Sequence, residues 1–326
     1  MVRKAILLIG LMTFFSCENS DINSVQSEIL EPSIDKISEV SIVVLGTIQD
    51  AGSPQAGCQK DCCKGLFEQP DLDRKIVSLG FIDPEFQKKY LLEASPDITF
   101  QMRILKEMSG FDSVLEMPDG IFLTHAHIGH YTGLMNLGKE AVNASKVPVY
   151  AMPRMRAFLS GNGPWSQLVE DQNIVLKELQ SDSIIQLTEN ISIQPILVPH
   201  RDEFSETVGF IISGPSKKAL FIPDIDKWGK WNRDIIDMIT TVDYAFLDAT
   251  FFDEEEINNR DISEIPHPFI VESLALFENL EPSEKRKIFF IHFNHTNPVI
   301  NAESEQYQRV IDAGFNVAQI RDVIQL

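Results

Sequence analysis

The chain is poor in basic residues, in cysteine and in long apolar runs, and each shortage narrows what it can do. Its 28 lysines and arginines are outnumbered by 48 aspartates and glutamates, a formal net charge of −20 over 326 residues. Phosphate backbones are held by clustered Lys and Arg, so no nucleic-acid partner is expected and a small molecule is the expected ligand. The longest apolar stretches fall short of the roughly 20 residues that a membrane-spanning helix needs. What remains is a globular composition, 44% hydrophobic and 23% charged, with no internal repeat and no linker after residue 40.

The N-terminus departs from that composition. Arg3 and Lys4 precede an apolar run from Ala5 to Phe15, which has the length of a secretory h-region. Ser16-Cys17 then resembles a bacterial lipoprotein cleavage site. Residues 1–16 are therefore expected to be a signal peptide, Cys17 a lipid-bearing N-terminus and residues 17–40 a polar, acidic tether. The expected location is exported and membrane-anchored, periplasmic or at the cell surface, with the lipid as the sole membrane contact. An ordinary signal peptide or an uncleaved anchor is the alternative.

With Cys17 so used, Cys58, Cys62 and Cys63 remain, and three thiols cannot all pair within one chain. In an exported protein such a cluster points to a metal site.

The densest chemistry lies in Gly120 to Leu137, GIFLTHAHIGHYTGLMNL, where His125, His127 and His130 fall within six residues at the end of an apolar run. Neutral imidazoles are common ligands of zinc and neighbouring metals. Gly120 to Leu123 reads as a buried strand and Tyr131 onward as a helix, which places the histidines on the turn between them.

Other expected strands are Ser41–Thr47, Ile76–Ile82, Lys89–Glu93, Val147–Ala151, Ile191–Val198, Thr207–Ser213, Ala219–Ile222, Tyr244–Leu247 and, as the last, Lys287–Ile291. Ser95 is expected to cap a helix opening at Pro96. The loop Gly161 to Trp165 is either a lid or a plain surface turn. Trp228 and Trp231 are read as packing residues, and the acidic run Asp253 to Glu256 as a solvated face. His200, Asp224 and His292 each follow a strand. The alternation of strands and helices predicts one α/β domain over residues 41–326.

Taken together, THAHIGH, His200, Asp224 and His292 resemble the five-motif metal site of the metallo-β-lactamase superfamily, which implies an αββα sandwich. More narrowly, LLEASPDITFQM, DYAFLDATFFDEEE and KIFFIHFNHTNP resemble the pyrroloquinoline-quinone biosynthesis protein B family. The superfamily pattern implies one metal on His125, His127 and His200 and a second on His130 and His292, with Asp224 bridging. Zinc is expected, or manganese or iron, as one or two ions. Gly129 stands where the pattern has aspartate, and Asp50 and Asp226 are the candidates to replace it.

A third resemblance, to cyclic phosphodiesterases of phosphonate metabolism, implies a structural zinc on Cys58, Cys62, Cys63 and His295. It also implies a catalytic role for His267, which two prolines flank. The leading expectation is hydrolysis of a small ester or phosphodiester by metal-activated water, with Asp224 holding the metals or orienting the water and His267 protonating the leaving oxygen. Arg201 is a candidate anion contact. Two other functions compete with this one: a quinone-cofactor tailoring or handling role, and a non-catalytic lipoprotein that binds a small molecule or metal.

Overall fold

The computed structural model describes residues 36–111, 116–257 and 261–326. The expected signal peptide, Cys17 and most of the expected tether lie outside these residues. In chain order the strands are β1 (Ser41–Gly46), β2 (Ser78–Asp83), β3 (Lys88–Leu92), β4 (Gly120–Phe122), β5 (Val147–Ala151), β6 (Ile174–Glu178) and β7 (Ile185–Gln186). The second half contributes β8 (Ser192–Leu197), β9 (Val208–Ser213), β10 (Lys218–Ile222), β11 (Tyr244–Asp248), β12 (Ile288–Ile291), β13 (Asn316–Val317) and β14 (Val323–Gln325).

They form two seven-stranded sheets, ordered β14-β1-β2-β3-β4-β5-β6 and β13-β12-β11-β10-β9-β8-β7. In the first, β1 pairs antiparallel with β14 and β2, β2 pairs antiparallel with β3, and the steps from β3 to β6 are parallel. The second repeats the scheme, antiparallel from β7 to β10 and parallel from β10 to β13.

Side chains alternate across each strand, so an apolar strand covered on both sides feeds two cores at once. In β1, Ile42 and Val44 face a core between the sheets with Phe81, Phe122, Phe210, Phe221 and Phe246. Val43 and Leu45 face outward to Ile98, Met102 and Leu105 of the helix Ile98–Ser109. Behind the second sheet, Leu220, Ile222 and Leu247 meet Ile235 and Ile239 of the helix Ile235–Thr240 and Ile270 of the helix Ile270–Leu276. Helix, sheet, sheet and helix thus stack in four layers, the expected αββα sandwich.

Several local expectations need correction. Lys287–Ile291 does not hold the last strand: β13 and β14 follow, and β14 returns to pair with β1. Both are two or three residues long, too short for an alternation to show. β6 and β7 were likewise not expected.

The first helix opens at Ile98 with Asp97 as its N-cap residue, and Ser95 instead accepts from the Asp97 amide and donates to Gln101. The segment after His130 is mostly a 3₁₀ helix, Thr132–Leu137. Trp165 starts the helix Trp165–Glu170, and its ring lies 4.9 Å from Tyr131, which makes it a packing residue and not a loop tip. Trp228 and Trp231 are buried, as expected. In the acidic run, Glu256 turns inward, accepting from the Phe252 amide and from Thr296 Oγ1.

Candidate metal centre

The histidine turn is held by its neighbours before any ligand is considered. Glu93, just past β3, is buried with a positive φ of 73°, a conformation uncommon for a non-glycine residue and indicative of tertiary constraint. Its carboxylate accepts from the Thr124 amide at 3.3 Å and lies 3.2 Å from His130 Nδ1. Thr124 Oγ1 is 2.9 Å from His125 Nδ1, and Ser205 Oγ accepts from the Ala126 amide at 2.9 Å. The contacts at His130 and His125 orient each ring through its Nδ1, and the Ser205 contact holds the backbone of the turn.

The second sheet delivers its share from strand ends. Asp224 follows β10, buried, with Oδ1 3.1 Å from His200 Nε2 and Oδ2 3.3 Å from His125 Nε2. His127 Nδ1 lies 2.8 Å from His125 Nε2. One ligand atom each from His125, His127, His200 and Asp224 therefore fits within 4.8 Å.

A second group, Asp50, His130, Asp224 and His292, meets the same limit. His130 Nε2 is 2.7 Å from Asp50 Oδ1 and 3.5 Å from Asp224 Oδ2, and His292 Nε2 is 3.7 Å from Asp224 Oδ2. His292 has a φ of 71°, so its backbone too is held in the left-handed region. All the metal-ligand residues expected from the histidine, Asp224 and strand-end motifs are thus brought together.

Behind His292 stands Asp248, the last residue of β11, which sequence reasoning did not assign. Its Oδ1 accepts from Thr250 Oγ1 at 2.7 Å, leaving Thr250 Oγ1 to accept from His292 Nδ1 at 2.9 Å. Its Oδ2 lies 2.9 Å from His267 Nδ1, and the His267 ring is 5.4 Å from His200 and 6.1 Å from His292. The expected catalytic histidine is therefore beside the centre with its Nδ1 occupied. The signals that marked Asp248 and Glu93 were modest: an acid closing an apolar strand run.

Charge and hydrogen bonding show that this pocket fits a cation. Burial opposes ionisation throughout, yet four carboxylates, Asp50, Glu93, Asp224 and Asp248, converge with little or no exposure. Burial alone would raise Asp224, but His200, His292 and His267 hold it well below the usual carboxylate range. Burial and His130 push His125 well down, whereas Asp50 and Glu93 overcome burial to hold His130 well up. Burial is likewise overcome at His292, raised to about 10 by Asp224 and its neighbours.

Without a metal, imidazoles packed against one another must carry the balancing charge. A divalent ion removes that conflict. Asp50 Oδ1, His130 Nε2, His200 Nε2, Asp224 Oδ1 and His292 Nε2 are all buried with no hydrogen-bond partner, although the His130–Asp50 atoms are close. Proximity without hydrogen-bond geometry is what lone pairs directed at a common third atom produce.

A separate group joins the loop after β1 to the turn after β12. Cys58, Cys62, Cys63 and His295 place four ligand atoms within 4.8 Å, with the Cys58 and Cys62 sulfurs 4.0 Å apart. Sulfurs at about 2.3 Å from a tetrahedral zinc stand about 3.8 Å apart, so the spacing fits. His295 Nδ1 donates to Asn294 Oδ1 at 3.0 Å, leaving the Nε2 lone pair for a ligand bond. Arg201 is exposed.

Known proteins repeat this architecture. Coenzyme PQQ synthesis protein B of Methylorubrum extorquens (strain PA1) is 23% identical over 301 residues, covering 85% of this chain and 97% of that protein. The solved structure of zinc-bound PqqB from Methylobacterium extorquens matches with a TM-score of 0.72 at 22% identity, covering 88% of this chain and all of that one. A diphosphatase from the PhnP family matches with a TM-score of 0.63 at 20% identity, covering 88% and 96%. The profile of the β-lactamase superfamily domain spans residues 88–293, most of the sandwich and nearly all of the strand ends described above. Fold, strand-end histidines and profile agree, and the chain belongs to the β-lactamase superfamily.

Proposed function

We propose that this protein is a metal-dependent hydrolase acting on a small ester or phosphodiester. The observation that carries it is the set of unpartnered, buried nitrogen and oxygen atoms converging beside His267. In this reading His125, His127, His200 and Asp224 hold a divalent ion, zinc being the first choice and manganese or iron the alternatives. Such an ion polarises the scissile group and lowers the pKa of a water toward about 7, so that nucleophile is available at neutral pH.

The chain's own residues supply the rest. Glu93 and Thr124 orient His130 and His125. His267 donates its Nδ1 proton to Asp248, and in the imidazolium form, which Asp248 and Asp224 favour against the opposition of burial, its Nε2 carries the proton passed to the leaving oxygen. His127 is the most exposed of the centre's imidazoles; Ile128, next to it in the chain, is 59% exposed, and Phe204, next to the Glu203 that reaches His127 Nε2, is 60% exposed. An apolar rim edged by Asp202, Glu203 and Glu206 favours a small substrate with an apolar portion over a polyanion. A metal-loaded sample tested on phosphodiesters, carboxylic esters, lactones and β-lactams should cleave at least one class; tight quinone binding without cleavage of any would replace this reading.

That replacement has its own support, since the similarity to coenzyme PQQ synthesis protein B runs nearly the full length of that protein. The second reading is therefore a role in tailoring or handling a quinone cofactor. A non-catalytic binding role would draw on Gly129, which leaves the motif without its aspartate, and the packing of Asp50 against that glycine weakens it.

Cys58, Cys62, Cys63 and His295 are proposed to hold a structural zinc, whose closed ligand set leaves no open position for chemistry. Export and lipid attachment at Cys17 are proposed from residues 1–17 alone. Wild type should then fractionate with membranes, released by detergent and not by salt, and Cys17→Ser should not; cytoplasmic protein retaining residues 1–16 would refute it.

A further inference from the structure

Gly129 is where the superfamily pattern leads one to expect an aspartate, and its surroundings explain why none is there. A Cβ built on Gly129 would lie 2.3 Å from Asp50 Oδ1 and 2.5 Å from Asp50 Cα. No real Cβ tolerates either distance. The space that an aspartate side chain would enter is already filled by another aspartate, arriving from a different part of the chain.

The delivery of Asp50 is specific. After β1 the chain makes isolated parallel bridges from Ile48 to Ile76 and from Ile48 to Phe293. The Phe293 amide donates to Thr47 O at 2.7 Å, and the Gln49 amide donates to Phe293 O at 2.8 Å. Asp50 is thereby pinned beside His292, the residue before Phe293. Its Oδ1 sits 2.7 Å from His130 Nε2 and 3.8 Å from His292 Nε2.

We infer that Asp50 supplies, from the turn after β1, the carboxylate that Gly129 lacks, completing a second divalent-cation position with His130, His292 and Asp224. The inference rests on the hydrolase reading only in taking the centre to bind metal. A plain Asp50–His130 ion pair does not account for the geometry. His130 Nε2 lies 2.7 Å from Asp50 Oδ1 and 3.5 Å from Asp224 Oδ2, yet it completes a hydrogen bond with neither. His292 has its Nδ1 satisfied by Thr250 while Nε2 remains unpartnered toward the same place.

The exchange has a consequence that a simple loss of the motif aspartate does not. Gly129 contributes no donor atom, yet its lack of a side chain is required for the second ion, because any Cβ there displaces Asp50. Gly129→Ala should therefore behave like a ligand deletion.

Manganese(II) is the suitable probe, since it favours carboxylate and imidazole over the thiolates of the cysteine group. Metal-stripped wild type titrated with manganese should take up two ions at the centre and show an exchange-coupled electron paramagnetic resonance signal. Asp50→Asn, which keeps shape and removes charge, should bind one uncoupled ion, with the second weakened at least 100-fold. Gly129→Ala should do the same. Circular dichroism and retention of the first ion establish that both variants are folded.

A coupled pair surviving in Asp50→Asn overturns the inference, as does a wild type that binds a single ion whose affinity Asp50→Asn leaves unchanged. Either result leaves the hydrolase reading standing. A wild type that binds no manganese, zinc or iron at the histidines overturns both.

Discussion

The two sheets share one strand scheme but supply the centre in opposite ways. The first sheet places His125, His127 and His130 on a single turn after β4, a block of six residues. The second sheet scatters its contribution: His200 after β8, Asp224 after β10, Asp248 ending β11, His292 after β12, and His267 before a helix. A local cluster owes its geometry mainly to one turn, whereas a scattered set exists only when parallel β10, β11 and β12 are in register. The first half should therefore fail by losing ligands, and the second by losing alignment.

The largest effect is expected from the local cluster. Changing His125 and His127 together to Ala should remove at least one metal equivalent, measured by elemental analysis, and lower hydrolysis by about 10³-fold or more, the several kcal/mol that a metal contributes. Unchanged stoichiometry would show that the turn is not the metal-binding half.

Next comes the scattered set. His267→Gln should reduce turnover by about 10²- to 10⁴-fold, the usual worth of a positioned proton donor, while leaving metal content intact. Asp248→Asn should cost less, about 10- to 100-fold, because it acts through the orientation of His267 and His292 and through its bonds to the Ile225 and Thr250 amides. If both variants lose metal as well, His267 and Asp248 hold the ion and do not merely orient its surroundings.

The loop after β1 tests stability apart from chemistry. Cys62→Ser should lose the zinc that the double histidine variant retains and lower Tm by about 5–10 °C, as about 2–3 kcal/mol does in a domain of this size. Ready labelling of all three native thiols would mean that no such site exists.

The last effect, confined to one pH window, concerns how the second half is tied down. Burial pushes Glu256 up to about 7 from 4.5, against the opposing hydrogen bonds from Thr296 and the Phe252 amide. A raised folded-state pKa means that the folded protein holds the proton more tightly. The associated stability is complete below about 4.5 and is lost as pH rises through about 7, by roughly 3 kcal/mol at most. Glu256→Gln should flatten that part of the stability–pH curve; an unchanged slope would assign it to other groups.

How much could be read in advance follows the same division. The histidine turn, the apolar strands and the strand-end positions of His200, Asp224 and His292 were legible because spacing and hydrophobic runs are local properties. β6, β7, β13 and β14 were not, being short or only partly buried. Glu93 and Asp248 were visible only as acids closing apolar runs, since nothing in one strand says which neighbour's histidine will stand behind it. The inward turn of Glu256 was hidden by its own acidic run, because a charge run says nothing of which member meets Thr296 some 40 residues away.

By itself, then, the sequence determined the superfamily and its fold: seven histidines, most of them at the ends of apolar runs, in a chain whose folded core must bring strand ends together. Whether Gly129 was a loss or an exchange was decided only by tertiary structure. Asp50 and Gly129 are far apart along the chain, and only the bridges from Ile48 to Ile76 and Phe293 set the backbone of Asp50 where a Cβ at position 129 would have to be. Steric exclusion acts at contact distance, and no pattern read along a single chain carries that information.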